Sequence, residues 1–80
     1  MSDEKLVNIY SLGKGRSGIV RLVKADAVIR QRLFDMGVLP SCAVMKERSA
    51  IGGDPVWIKV GNVEIALRRN EAESVMVEVA

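Results

Sequence analysis

The stretch that decides the fold is Val56-Trp-Ile-Lys-Val-Gly-Asn-Val-Glu-Ile-Ala-Leu67. Val56, Ile58 and Val60 alternate with Trp57 and Lys59, the period of a strand with one buried face. Gly61-Asn62 is a two-residue connection with glycine first, as a type II′ hairpin turn prefers. Val63, Ile65 and Leu67 continue the apolar face on a second strand. An antiparallel hairpin follows, and the rest of the chain has to cover its apolar side.

Working outward, Arg69-Asn-Glu-Ala72 reads as one helical turn. Ser74 to Val79 reads as a last strand, with Val75, Val77 and Val79 alternating with Met76 and Glu78. Upstream, Cys42 to Arg48 and Gly18 to Lys24 are predicted strands, Ser49 to Asp54 is a loop, and Leu6 to Leu12 is a first strand or an extended lead-in. Between the two upstream strands lies a predicted helix from Ala27 to Met36. Asp26 is placed to cap it, because a carboxylate there accepts from free backbone N–H groups and faces the positive end of the helix dipole. Ile29, Leu33 and Met36 fall on one helical face, Val28 and Phe34 flank it, and Arg30, Gln31 and Asp35 take the other side. Gly37 stops the helix and Pro40 prevents its resumption. The pattern is mainly β: a small, partly open barrel of about five strands with one short inserted α-helix. Curling the sheet on itself hides strand edges.

Eighty residues make a single domain, 1–80. A chain of this length buries only about 60–65% of the surface its unfolded form exposes, and no disulfide supplements that, since Cys42 is the only cysteine. A lone cysteine fits a reducing, cytoplasmic setting. The core is expected to be aliphatic, because Tyr10, Phe34 and Trp57 are the only aromatic residues.

Twelve Lys and Arg stand against ten Asp and Glu, a net charge of +2, and the signs alternate along the chain. Nucleic-acid binding would want a clustered excess with aromatic stacking platforms, so no nucleic acid is expected. Arg16, Arg21 and Lys24 form an acid-free stretch, read first as solvated edge and loop residues and second as an anion patch. The N-terminal Met1-Ser-Asp-Glu-Lys5 has no apolar run behind its charges, so no signal peptide is expected. The longest uncharged run, Met36 to Met45, falls short of the ~20 residues that span a bilayer. Any membrane role therefore runs through a partner.

Catalytic chemistry is poorly provided for. There is no histidine, hence neither the commonest general base nor a partner for Cys42. Cys42 beside a strand reads as a small hydrophobe, and a structural zinc site needs more Cys and His. Gly13, Gly15 and Gly18 lack the Gly-Lys-Ser/Thr ending and the following helix of a phosphate loop. Glu71 and Glu73 are expected to point apart. No catalytic residue, cofactor or metal ligand is assigned.

Three blocks carry a family resemblance: Arg30-x-Arg32-Leu33-x-x-Met36-Gly37-x-x-Pro40, then Gly53-Asp54-Pro55, then Ile65-Ala-Leu-Arg-Arg-Asn-Glu-Ala72. In this order and spacing the chain resembles the FeoA family from about Gly18 to Val79. It departs at Ser41, where the family has glycine after the proline. The resemblance implies an SH3-like β-barrel with a helix inserted after the first barrel strand, no enzymatic activity, and a cytoplasmic location. It also implies binding to the GTPase region of the transporter FeoB in support of Fe²⁺ uptake. Iron-dependent repressors of the DtxR type carry a similar barrel behind a helix-turn-helix region for which this chain has no room, so a stand-alone accessory protein is expected.

On the residues themselves, the helix and its exit turn are the expected docking surface: Arg30, Arg32, Leu33, Phe34, Met36 and Leu39, an apolar centre with arginine around it. The alternative is that Leu33 and Met36 pack the helix on the barrel, leaving Phe34 and Leu39, off the main stripe, exposed. Trp57 is expected to cover an open barrel end, with a place at a partner surface as the alternative. Arg16, Arg68 and Arg69 are candidates for an arginine finger toward the GTPase, with no spacing that singles one out. The competing readings are a nucleic-acid-binding barrel and a metal- or redox-dependent regulatory module centred on Cys42. Weak self-association is left open.

Overall fold

The computed structural model describes residues 5–80. The charged stretch 1–4, where no signal peptide is expected, lies outside the described residues. The strands are β1 (Leu6–Asn8), β2 (Ser17–Val23), β3 (Ala43–Ser49), β4 (Val56–Val60), β5 (Val63–Leu67) and β6 (Val75–Val79). Helix α1 (Ala27–Asp35) joins β2 to β3, and the short helix α2 (Arg69–Ser74) joins β5 to β6. All neighbours run antiparallel in one curled sheet of order β1-β6-β2-β3-β4-β5. β1 and β5 do not pair, so the barrel is open.

The lead-in at Leu6 to Leu12 divides into the short β1 and a 3-10 turn over Ile9–Ser11. The Asn8 side chain accepts the Ser11 N–H at 2.8 Å, which turns the chain and drives Ile9 fully into the core. The hairpin forms as its alternation requires, with Val60 opposite Val63, Ile58 opposite Ile65 and Val56 opposite Leu67. Val56, Ile58, Leu67, Val75 and Val77 are fully buried. In a two-residue hairpin the residues flanking the turn exchange both hydrogen bonds. Val63, Ile65 and Leu67 therefore turn their backbone groups toward β4, while Glu64 and Ala66 turn theirs to the free side of β5.

Asp26 caps α1, its Oδ1 accepting the Ile29 N–H at 2.9 Å. At the other end Gly37 takes φ +93°. The Gly37 N–H donates to Phe34 O and the Val38 N–H to Leu33 O, both at 2.9 Å. This pair of bonds is a Schellman ending, completed by contact between its two apolar residues. Leu33 and Val38 are both fully buried. Ile29 and Met36 are only half-buried, so the helix rests on the barrel mainly through Leu33. Ser41 has φ +78°, a left-handed conformation that explains why a glycine suits this turn, and its N–H donates to Val20 O at 2.7 Å.

Register shifts occur in β2 between Val20 and Leu22 and in β3 between Lys46 and Arg48. The first leaves Leu22 on the outside although its neighbours Val20 and Val23 are core residues.

Candidate docking surface

Helix α1 does not present the six expected residues alike. Arg30 is exposed, its Nη1 donating to Ala25 O at 3.1 Å. Leu39 is 44% exposed. Leu33 is a core residue, and Phe34 and Met36 are half-buried against the core. The expectation that Phe34 is exposed is thus corrected. The contact between helix and barrel broadens toward the last turn, where Phe34 lies, and narrows at the first, where Val28 is 79% exposed. Val28 lines a shallow groove of about 450 Å³ together with Ala27, Gln31, Arg32 and Asp35.

Arg32 is half exposed along that groove and at the same time bound to α2. Its Nε lies 2.8 Å from Glu71 Oε2, and Glu71 is 2% exposed. The other Glu71 oxygen accepts the Arg68 N–H at 2.9 Å at the start of α2. One buried carboxylate therefore closes the first turn of α2 and binds it to α1. The spacing from Arg68 to Glu71 is that of the glutamate half of a capping box, the sequence signal that would have found this role. Glu73, as expected, points elsewhere, accepting from Arg69 Nε at 3.1 Å.

The mouth of the barrel is organised by Tyr10, which sequence reasoning passed over because one aromatic in a lead-in carries no periodicity. Lys46 Nζ donates to the Tyr10 carbonyl at 2.8 Å and lies 5.3 Å from the ring centroid. The Arg69 guanidinium lies 4.5 Å from the same centroid, while the Arg69 N–H donates to Asp54 Oδ1 at 3.2 Å. Of the three finger candidates, Arg69 is thus engaged; Arg16 and Arg68 are exposed.

Trp57 does not cover a barrel end. It stands on the outer face of β4, opposite Ala66, because strand alternation assigns the inward positions to Val56 and Ile58. Arg48 lies over its ring at 4.2 Å and bonds Glu64 at 3.0 Å. Glu47 completes this outer cluster, with one carboxylate oxygen buried and without a hydrogen-bond partner. The neighbouring Glu64 carboxylate, accepting the Glu47 proton, holds the Glu47 pKa above its ordinary value, and partial burial adds to the rise. The same bond and Arg48 hold Glu64 below its ordinary value.

Cys42 is half-buried, its Sγ 3.7 Å from Gly37 O. Among the described residues no group of three or more His, Cys, Asp or Glu side chains could hold a metal ion. Among the same residues no helix is long and apolar enough to cross a membrane.

A family model described as the FeoA domain matches residues 7–79. The fold superposes on the crystal structure of an iron uptake regulatory protein, FeoA, with a TM-score of 0.85 and 30% identity over 95% of this chain and 99% of that one. It also superposes on the FeoA of Stenotrophomonas maltophilia in complex with zinc, a procaryotic SH3 domain protein, with TM-score 0.79 and 29% identity over 90% of this chain and 89% of that one. A manganese-dependent transcriptional repressor shares the fold, with TM-score 0.87 but 12% identity, over the whole of this chain and 45% of its own length. Among curated protein sequences none matches. A match over nearly the whole chain, joined to an SH3-like barrel with the inserted helix in its expected place, means that the chain belongs to the FeoA family, whose members are associated with ferrous iron transport.

Proposed function

We propose that this chain is a cytoplasmic, non-enzymatic accessory protein of a ferrous iron transporter, docking on the GTPase region of its cognate FeoB. The observation that carries the reading is the uncovered outer side of α1 and its exit turn. Val28 on α1 and Leu39 in the exit turn stay exposed, and the helix is fixed at both ends by Asp26 and Gly37. A rigid element with apolar side chains left to solvent suits a partner surface. The docking residues are Arg30 and Leu39, joined by Val28, with Phe34 and Met36 at the inner margin. Arg32, half exposed beside Val28 and steadied by Glu71, belongs to the same surface, and Leu33 supports it from the core.

The test is a titration of ¹⁵N-labelled protein with the soluble GTPase domain of its FeoB, with and without guanine nucleotide. Saturable amide shifts centred on Val28 to Leu39 are expected. Absence of any shift in every nucleotide state would sink the partner assignment for the isolated domain. A measured change in GTP turnover would assign an activating role. Unchanged turnover under proven binding would leave docking alone and remove the arginine-finger idea.

A further inference from the structure

The loop before β2 meets β3 in an arrangement that uses two residues against one. The Lys46 N–H donates to Arg16 O at 3.0 Å, while the Gly15 N–H donates to Lys46 O at 2.7 Å. Gly15 has φ +81°, so Gly15 and Arg16 form a G1-type bulge opposite Lys46, a device that re-aims a side chain and ends strand pairing. Its effect here is to set two cationic residues across from each other in the backbone ladder beside Tyr10. Like charges directly opposite are destabilising. Among the described residues neither Arg16 nor Lys46 forms an ion pair. Glu47, next to Lys46 in the chain, is turned by the β3 bulge toward Arg48, Lys59 and Glu64. Asp54 and Glu73 are occupied by Arg69. Lys46 is half-buried, and among the described residues its ammonium has one acceptor, the Tyr10 carbonyl, which leaves donor capacity for an anion.

We propose that this rim, with Arg16 and Lys46 at its centre and exposed Lys14 beside them, docks an acidic segment of a protein partner. The inference rests on the reading of the chain as a docking module and supplies that module with a second, electrostatic contact. The loop is unsuited to cradling a phosphate. Its Gly15 and Arg16 N–H groups are spent on Lys46 O and Gly13 O, so no nest of free N–H groups remains. It is equally unsuited to stacking nucleobases, since Lys46 and Arg69 stand over the Tyr10 ring. What remains is recognition by point charge, the form that steers protein encounter and fades with salt.

A hexaglutamate peptide, inorganic phosphate and a single-stranded oligonucleotide are each titrated into the ¹⁵N-labelled protein at low and high salt, followed by the FeoB GTPase domain. Hexaglutamate is expected to shift Tyr10, Gly15, Arg16 and Lys46 and to lose its effect at high salt. Arg16→Glu and Lys46→Gln should each weaken the peptide and the domain by roughly two- to fivefold or more. Arg16 is exposed, so its variant keeps the test valid even if Lys46→Gln disturbs folding. Overturning results are no saturable response to hexaglutamate, a response untouched by Arg16→Glu, or a tighter response to phosphate or the oligonucleotide. If the domain binds wild type and Arg16→Glu equally well, this site falls and the helix reading stands. If the domain binds neither while hexaglutamate still binds at Arg16 and Lys46, the site stands and the FeoB assignment falls.

Discussion

At the scale of single residues, two positions carry a measurable conflict between sequence and structure. Ser41 occupies a left-handed conformation that is disfavoured by roughly 1–2 kcal/mol for a residue with a Cβ. Glycine removes that term but brings more backbone entropy to lose on folding, roughly 0.5–1 kcal/mol. Ser41→Gly should therefore stabilise the protein by about 0.5–1 kcal/mol in urea unfolding, with the bond from its N–H to Val20 O retained. Glu47 is the second position. Its folded pKa is raised by Glu64 and by partial burial, so its contribution to stability is present below the unfolded carboxyl value and is lost as pH rises through the folded value. Glu47→Gln removes the charge that is disfavoured at neutral pH. Its melting temperature should exceed that of wild type near pH 7, and the gap should close once both carboxyls are protonated in acid. A gap of equal size at both pH values would show that the gain has nothing to do with titration.

At the scale of elements, α1 is fixed by its cap, its core residue and its bridge, and each is open to test. Asp26→Ala should cost about 1 kcal/mol and Leu33→Ala about 2–5 kcal/mol, both read by chemical denaturation. Leu33→Ala is expected to weaken docking only as far as it unfolds the chain. Arg32→Ala leaves Glu71 buried without its guanidinium, so a loss of about 1.5–3 kcal/mol is expected. In a double-mutant cycle with Glu71→Gln the two losses should fall short of adding. Strict additivity would mean that the bridge does not couple α1 to α2. The hairpin, Asp26 and Gly37 were legible in the sequence because period, cap and stop are local signals. The settings of Phe34 and Trp57 and the bridge from Arg32 to Glu71 were not, because the partners come from elsewhere in the chain. The outer face of β4 claims Trp57, α2 supplies the carboxylate that meets Arg32, and the contact under the last helical turn half-covers Phe34. Tyr10 was missed for the same reason, as its partners Lys46 and Arg69 are distant in sequence.

At the scale of the whole molecule, the sheet ends at β1 on one side and β5 on the other. The outward backbone groups of Glu64 and Ala66 make β5 a template on which another extended chain could grow. A charge in the middle of such an edge opposes stacking, and Glu64 supplies it, kept ionised below the usual carboxylate range by Glu47 and Arg48. The stability it lends is present above its unfolded pKa and lost only as pH falls through the depressed folded value. The consequence is colloidal. The protein should scatter no light on standing at pH ~4.3, where an ordinary glutamate has already lost about half its charge, whereas Glu64→Gln should seed fibrils under the same conditions. The outer cluster of Arg48, Glu47 and Glu64 then serves less to hold the barrel together than to keep each barrel apart from the next.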